Sequence, residues 1–204
     1  MILFITFEGV DGSGKTTQAQ LLKEFLENKG HSVLLTREPG GTKFAEAIRN
    51  LLLHIHDPIN PMTEVYLYCA ARNEHYHKII LPALKEGKIV ISDRFYDSTI
   101  AYQGAGRKLG IDKMIEMNQE FILNSKPEIT FFLDTPLSII EERLNRKKMD
   151  RMEKAGIHFL ADVREGYLEI MRREPKRVFS INGRLTETDI NRLIIEKFLE
   201  QISL

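Results

Sequence analysis

Cysteine is almost absent: Cys69 is the only one in 204 residues, so no intrachain disulfide can form. A lone thiol fits a reducing compartment. Neither sign of charge is in excess, with 29 basic and 29 acidic residues. Nucleic-acid-binding chains ordinarily carry a basic surplus, so this balance argues against such a partner. Long apolar runs are missing, and no stretch approaches a membrane span. Glu8 interrupts the first apolar run too early for a secretory signal. Repeats, low-complexity tracts and linkers are also lacking. The expectation is a cytoplasmic protein with one domain over residues 1–204, long enough to bury a full core.

Against these absences stands one dense motif. Residues 9–16 read Gly9-Val10-Asp11-Gly12-Ser13-Gly14-Lys15-Thr16, which fits G-x-x-x-x-G-K-[ST]. An apolar run, Ile2 to Phe7, precedes it, and a helix-like run, Thr17 to Asn28, follows. The glycines let successive N–H groups converge on an anion, and the next helix points its positive end at the same place. Lys15 is placed for the outer phosphates and the Thr16 hydroxyl for Mg²⁺. A Gly-rich turn that merely contains Lys-Thr is the bland alternative. The order strand, loop, helix argues against it, and a nucleoside triphosphate is the expected ligand.

Further apolar runs predict strands at Val33–Leu35, Ile89–Ile91, Ile129–Leu133 and Val178–Ile181. They are mostly apolar throughout rather than alternating, as in a parallel sheet covered on both faces. Helical patterns separate them. Ala19, Leu22, Phe25 and Leu26 form one stripe, ending near Gly30. Further helices are predicted over 43–53, from Thr63 toward Gly87 with a break or kink at Pro82, and over 113–123, 137–146 and 158–173. Thr186-x-x-Asp189 opens the last, with Ile190, Leu193, Ile194, Phe198 and Ile202 on one face. The predicted fold is α/β: a doubly wound, five-stranded parallel sheet with helices on both faces.

In such a sheet ligands sit beyond the carboxyl ends of the strands. Charged and hydroxyl residues cluster there: Arg37 to Thr42 after strand two, Asp93 to Thr99 after strand three, Asp134 and Thr135 after strand four. Asp93 is placed to approach the metal, and Arg94 to bridge phosphates with two N–H groups. A plain surface ion pair is the alternative. Arg49 is either a second phosphate ligand or a solvated side chain. Tyr68 and Arg72 lie four apart on one helical face, placed either to grip a planar base or to serve separately as core and surface. The run Arg143 to Arg151 is the densest basic cluster, either a solvated face or a mobile loop over the phosphates.

Three blocks appear in order after the phosphate loop. They are Arg37-Glu38-Pro39-Gly40-Gly41-Thr42, Asp93-Arg94-Phe95-Tyr96-x-Ser98-Thr99-x-Ala101-Tyr102-Gln103-Gly104, and a basic segment ending Asp150-Arg151-Met152-Glu153. With them the chain resembles bacterial thymidylate kinase, of the P-loop nucleoside monophosphate kinase superfamily, over nearly its full length. The Asp-Arg…Ser-Thr…Ala-Tyr-Gln-Gly block carries most of that resemblance. It implies ATP-dependent phosphorylation of dTMP to dTDP, with Mg²⁺ at Thr16 and Asp93, and a homodimer packed through helices.

The resemblance also implies roles. Residues Gly9 to Thr17 hold ATP, and Arg143 packs on adenine. Asp11 contacts the sugar 3′-hydroxyl of dTMP or the metal shell. Tyr68 stacks on thymine, Arg72 bonds its edge, and Ser98, Thr99, Tyr102 and Gln103 shape the base and sugar pocket. Arg37, Arg49 and Arg94 hold the dTMP phosphate. No arginine lies between Gly9 and Lys15, so the chain is similar to members whose catalytic cation sits in a lid, here about 143–154, with Arg146 or Arg151 in that role. Met152 departs from the family pattern.

Two competitors remain at this point. One is another nucleoside monophosphate kinase with a different base pocket. The other is a nucleotide switch, although the guanine-reading Asn-Lys-x-Asp is absent.

Overall fold

The computed structural model describes residues 3–55, 57–145, 151–152 and 155–202. Among them, five strands form one parallel sheet in the order β2-β3-β1-β4-β5. They are β1 (Leu3–Glu8), β2 (Val33–Arg37), β3 (Ile89–Asp93), β4 (Ile129–Asp134) and β5 (Val178–Asn182). β1 lies at the centre, paired with β3 on one side and β4 on the other. The early strands build outward one way and the late strands the other. The carboxyl end of β1 therefore opens into the crevice where ligands of such sheets bind.

The strands are apolar on both faces because both faces are covered. Leu3, Ile5 and Phe7 point to one layer, with Ile129, Phe131 and Leu133 of β4. That layer is closed by α1 (Lys15–Asn28) and α10 (Glu187–Ile202), through Ala19, Leu22, Leu26, Ile190, Ile194 and Phe198. Phe4, Val90 and Phe132 point to the opposite layer. It holds α3 (Pro61–His75), α8 (Leu137–Leu144) and α9 (Ile157–Arg173), contributing Val65, Ile140, Leu160, Val163 and Tyr167. Successive strand residues alternate between layers, as the pleat requires.

Several boundaries differ from the sequence reading. Each strand runs one or two residues past its last apolar position, ending on Glu8, Arg37, Asp93, Asp134 or Asn182. Residue 2, the expected start of the first strand, lies outside the described residues. α2 (Lys43–His54) agrees, and Thr42 caps it by accepting from Ala45 N. α3 begins at Pro61, not Thr63, because the Asn60 side chain accepts from Met62 N. Pro in the first turn loses nothing, since its missing N–H has no helical partner there.

Near Pro82, where a break or kink is expected, the helix passes through a wide π-helical turn, Tyr76–Ile80, into α4 (Leu81–Lys85). The change of hydrogen-bond spacing absorbs the missing proline N–H without ending the helix. The predicted helix 113–123 is two, α6 (Ile111–Met117) and α7 (Gln119–Asn124), split at Asn118. The Asn118 side chain is buried, donating to Met114 O and accepting from Arg72. The residues after β3, to which the sequence reading assigns no element, are helical: α5 (Tyr96–Thr99) continues as a π-helical turn, Ile100–Gly106.

Candidate functional site

The phosphate loop joins β1 to α1 and stands over the centre of the sheet edge. Gly9 has φ 141°, and a Cβ there would meet Leu133 O and Ser13 Oγ, each at 2.9 Å. Only glycine fits so close to the neighbouring strand. Lys15 Nζ folds back onto Val10 O at 2.9 Å. Burial pushes its pKa down to about 8, and the Arg94 charge adds to the shift. Ser13 Oγ is buried without a hydrogen-bond partner among the described residues. An anion seated in this loop satisfies both groups.

Thr16 donates its hydroxyl to Asp93 Oδ2 at 2.5 Å. A hydroxyl and a carboxylate at the mouth of a phosphate loop are hard oxygen donors. That set suits a small divalent cation that keeps waters and phosphate oxygens as its other ligands.

Arg94 is the centre of the network. Its φ is 76°, a left-handed conformation rare outside glycine. Backbone bonds hold it there: Arg94 N donates to Phe7 O at 2.9 Å, and Phe95 N donates to Glu8 Oε1 at 2.7 Å. The guanidinium then reaches Gly9 O and Ser98 Oγ, both at 3.0 Å, Tyr167 OH at 3.2 Å and Asp11 Oδ1 at 2.6 Å. Tyr102 OH donates to the other Asp11 oxygen at 2.8 Å. Burial alone would raise the Asp11 pKa, but Arg94 and Lys15 hold it well below the carboxylate range.

Glu8 lies behind this group, fully buried. Besides Phe95 N, it accepts from Ser98 Oγ at 2.6 Å and Tyr167 OH at 2.9 Å. Burial and the neighbouring Asp97 raise its pKa to about 7. Neither Glu8 nor Tyr167 is singled out by the sequence reading. Glu8 had one signal, a carboxylate ending an apolar strand directly before Gly9. Tyr167 had none, since it sits in the apolar stripe of α9.

Two clefts meet at this network. The larger runs along the phosphate loop, lined by Gly12, Gly14, Lys15, Thr16 and Thr17, with Arg37 and Asp93. The smaller is lined by Pro39, Leu53, Tyr68, Ser98, Thr99, Tyr102, Gln103 and Met152. Asp11, Glu38, Arg49 and Arg94 line both. Most of the candidate residues are therefore brought together. Arg143 Nη1 donates to Gly12 O at 2.7 Å, at the rim of the phosphate loop. Arg49 donates to Pro39 O at 3.0 Å, and Arg37 pairs with Glu46 at 2.9 Å.

Two arginines sit differently from the sequence reading. Arg72 is only 2% exposed and is not among the residues lining the smaller cleft. It bonds Glu38 Oε2 at 2.8 Å, Asn118 at 2.7 Å, Phe95 O at 3.2 Å and Thr99 Oγ1 at 3.0 Å. It braces the walls of the pocket. Glu38 is also held by His75, whose other ring nitrogen meets Thr36 Oγ1 at 2.7 Å. Arg151, read as a cation over the phosphates, bonds Leu52 O at 2.7 Å and Glu64 Oε2 at 2.5 Å instead. Arg146 lies outside the described residues.

The family model described as thymidylate kinase matches residues 7–194. A curated thymidylate kinase of Kosmotoga olearia is 41% identical, the match covering 97% of this chain and 95% of the relative. One of Chlorobaculum parvum is 45% identical over 95% of this chain and 94% of its own length. The solved thymidylate kinase of Ehrlichia chaffeensis superposes with a TM-score of 0.78 at 37% identity, covering 96% of this chain and 97% of that one. With a family model spanning nearly the whole sequence and full-length relatives at this identity, the chain belongs to the thymidylate kinase family.

Proposed function

We propose that the chain transfers the γ-phosphoryl group of ATP to dTMP, giving dTDP and ADP. One observation carries this reading: the two clefts share Asp11, Glu38, Arg49 and Arg94. A donor over Gly9 to Thr17 and an acceptor beside Tyr68 then bring their phosphates together at Arg94.

The acceptor phosphate is already a nucleophile, so the protein's task is alignment and charge neutralisation. Lys15 faces the β- and γ-phosphates, and Arg94 and Arg49 face the acceptor phosphate, with Arg37 beside them. Asp11 orients Arg94 and meets the sugar 3′-hydroxyl. Tyr68 stacks on thymine, Arg143 packs on adenine, and Ser98, Thr99, Tyr102 and Gln103 enclose the base and sugar. Arg72 acts on the base pocket through Thr99 and Glu38. Thr16 and Asp93 would hold Mg²⁺, which would supply positive charge to the donor phosphates. A lid over about 143–154, within a single domain 1–204, excludes water, with Arg146 proposed for the transferring group.

A homodimer is proposed through α2 and α3, which expose Phe44, Leu51 and Tyr66. A cytoplasmic setting agrees with the lone cysteine and with the absence, among the described residues, of any helix able to cross a membrane.

A coupled ADP-release assay across dTMP, dUMP, CMP, UMP and AMP tests the reading. The expected result is dTMP as the preferred acceptor. Preference for AMP or CMP overturns it in favour of another nucleoside monophosphate kinase.

A further inference from the structure

Glu64 lies in the first turn of α3. Its carboxylate is 1% exposed, yet donors reach it from two distant segments. Oε1 accepts from Gln103 Nε2 at 2.8 Å and Arg107 Nε at 3.3 Å. Oε2 accepts from Arg151 Nη2 at 2.5 Å and Arg107 Nη2 at 3.4 Å. Gln103 lines the smaller cleft, and so does Met152, next in sequence to Arg151. One buried carboxylate thus joins α3, the π-helical turn after α5 and the segment between α8 and α9.

The bond to Gln103 fixes orientation as well as position. An ionised carboxylate only accepts hydrogen bonds. Burial pushes the Glu64 pKa up, but the Gln103 bond and the two guanidinium groups outweigh it and hold the group below its ordinary value. Only the NH₂ end of the Gln103 amide can therefore turn to Glu64. The carbonyl oxygen turns the other way, and the Glu64 bond holds that orientation in a side chain 1% exposed. What Gln103 offers a base is an acceptor. Thymine and uracil carry a hydrogen on N3, whereas cytosine carries a lone pair there. An amide carbonyl bonds the first two and is left unpaired against the third.

We infer that Glu64 is a positioning residue which, by holding Gln103 and Arg151 together, sets the base-side cleft to accept a pyrimidine bearing N3–H and to reject cytosine. The inference rests on the function proposed above and names how its site chooses the base.

The test uses the full chain as parent, E64Q and Q103L, with dTMP, dUMP and dCMP at saturating ATP. Calorimetric dTMP binding without ATP gives a second readout. In E64Q the new amide donates as well as accepts, so Gln103 is released to flip. E64Q is expected to raise KM for dTMP about tenfold with kcat within about threefold. The ratio of kcat/KM for dTMP over dCMP is expected to fall about tenfold, the equivalent of one hydrogen bond. Q103L is expected to lower the same ratio, with ATP affinity unchanged in both variants. A ratio within about twofold of the parent in E64Q overturns the inference, as does an equal loss of kcat with every acceptor. If circular dichroism shows E64Q unfolded, Q103L decides: a fallen ratio supports the inference and an unchanged one overturns it. A parent that phosphorylates AMP but not dTMP overturns the proposed function, and this inference with it. A parent active on dTMP with an unaltered E64Q overturns the inference alone.

Discussion

Arg94 and Asp11 form a closed ion pair at 2.6 Å, at the point where the two clefts meet. The arginine reaches it from a left-handed backbone, φ 76°, which costs on the order of 1–3 kcal/mol and persists because surrounding bonds over-determine it. The strain fixes one direction for the guanidinium. Arg94→Lys keeps the charge but loses the planar fork that bonds Asp11, Ser98 and Gly9 together. It is expected to lower kcat/KM by at least about a hundredfold, roughly 2.7 kcal/mol. Steady-state kinetics with dTMP and ATP check this, and a loss under about threefold would remove Arg94 from the transferring machinery.

Lys15 carries a second expectation. Its ammonium lies back on Val10 O and is poised to turn to the phosphates. Lys15→Ala is expected to cost at least about 3 kcal/mol in transition-state stabilisation. Near-normal turnover of the purified variant would overturn the assignment.

A pH effect follows from Glu8. Its pKa is raised from 4.5 to about 7 by burial and Asp97. Below about 4.5 both folded and unfolded chains hold the proton, and Glu8 adds no pH dependence. From there to about 7 the unfolded chain releases the proton while the folded chain retains it. The stability contribution of Glu8 therefore falls as pH rises through that window and is flat above it. The parent is expected to lose melting temperature, relative to Glu8→Gln, between about pH 5 and pH 7.5. Parallel melting curves for the two proteins across that range would contradict the buried, proton-holding state.

Much of this architecture was legible in the sequence. All five strands were readable because parallel strands covered on both faces are mostly apolar rather than alternating. The reading stopped each strand at its last apolar residue. The pairing of Phe7 with Asp93 and of Asp134 with Asn182 continues into polar residues, and two of the polar ends, Arg37 and Asp93, line the larger cleft. No element was assigned to residues 96–106 from the sequence, yet packing on α9 makes them helical. Glu8, Glu38 and Glu64 escaped as structural carboxylates for another reason. Charged residues are ordinarily exposed, and nothing local marks the exceptions. Their partners come from far along the chain: Tyr167 for Glu8, Arg72 for Glu38 and Arg151 for Glu64.

Arg146 and Arg151, both within the proposed lid, are expected to separate kinetically. Arg151 is held on the base side by Glu64 and Leu52, so Arg151→Ala is expected to raise KM for dTMP more than it lowers kcat. Arg146, proposed for the transferring group, is expected to lower kcat by about tenfold or more with little change in KM. Saturating both substrates distinguishes the two. A loss confined to kcat in Arg151→Ala would return that residue to the phosphates.

The buried pair of Asp97 and Arg177 allows a test of stability distinct from catalysis. Nη1 and Nη2 of Arg177 bond the two Asp97 oxygens at 2.7 and 3.0 Å, and the side chains are 6% and 1% exposed. Arg177 Nη1 also bonds Thr130 Oγ1 at 2.7 Å, which ties α5 to the sheet. Breaking one partner leaves an uncompensated buried charge, whereas removing both leaves only the partly exposed Glu174, which Arg177 Nε also bonds at 2.9 Å and which keeps Lys126 as a partner. Arg177→Met is expected to destabilise the fold by about 3–5 kcal/mol, and Asp97→Asn with Arg177→Met by clearly less. Denaturant midpoints at constant slope measure both. The coupling has a consequence at the site, because Asp97 is one of the groups that raise the Glu8 pKa. Without Arg177 the Asp97 charge is less compensated, so Glu8 is expected to hold its proton to still higher pH. The melting-temperature loss of Arg177→Met between about pH 5 and 7.5 should then move upward in pH relative to the parent. A single and a double variant of equal stability would show that the pair contributes packing alone.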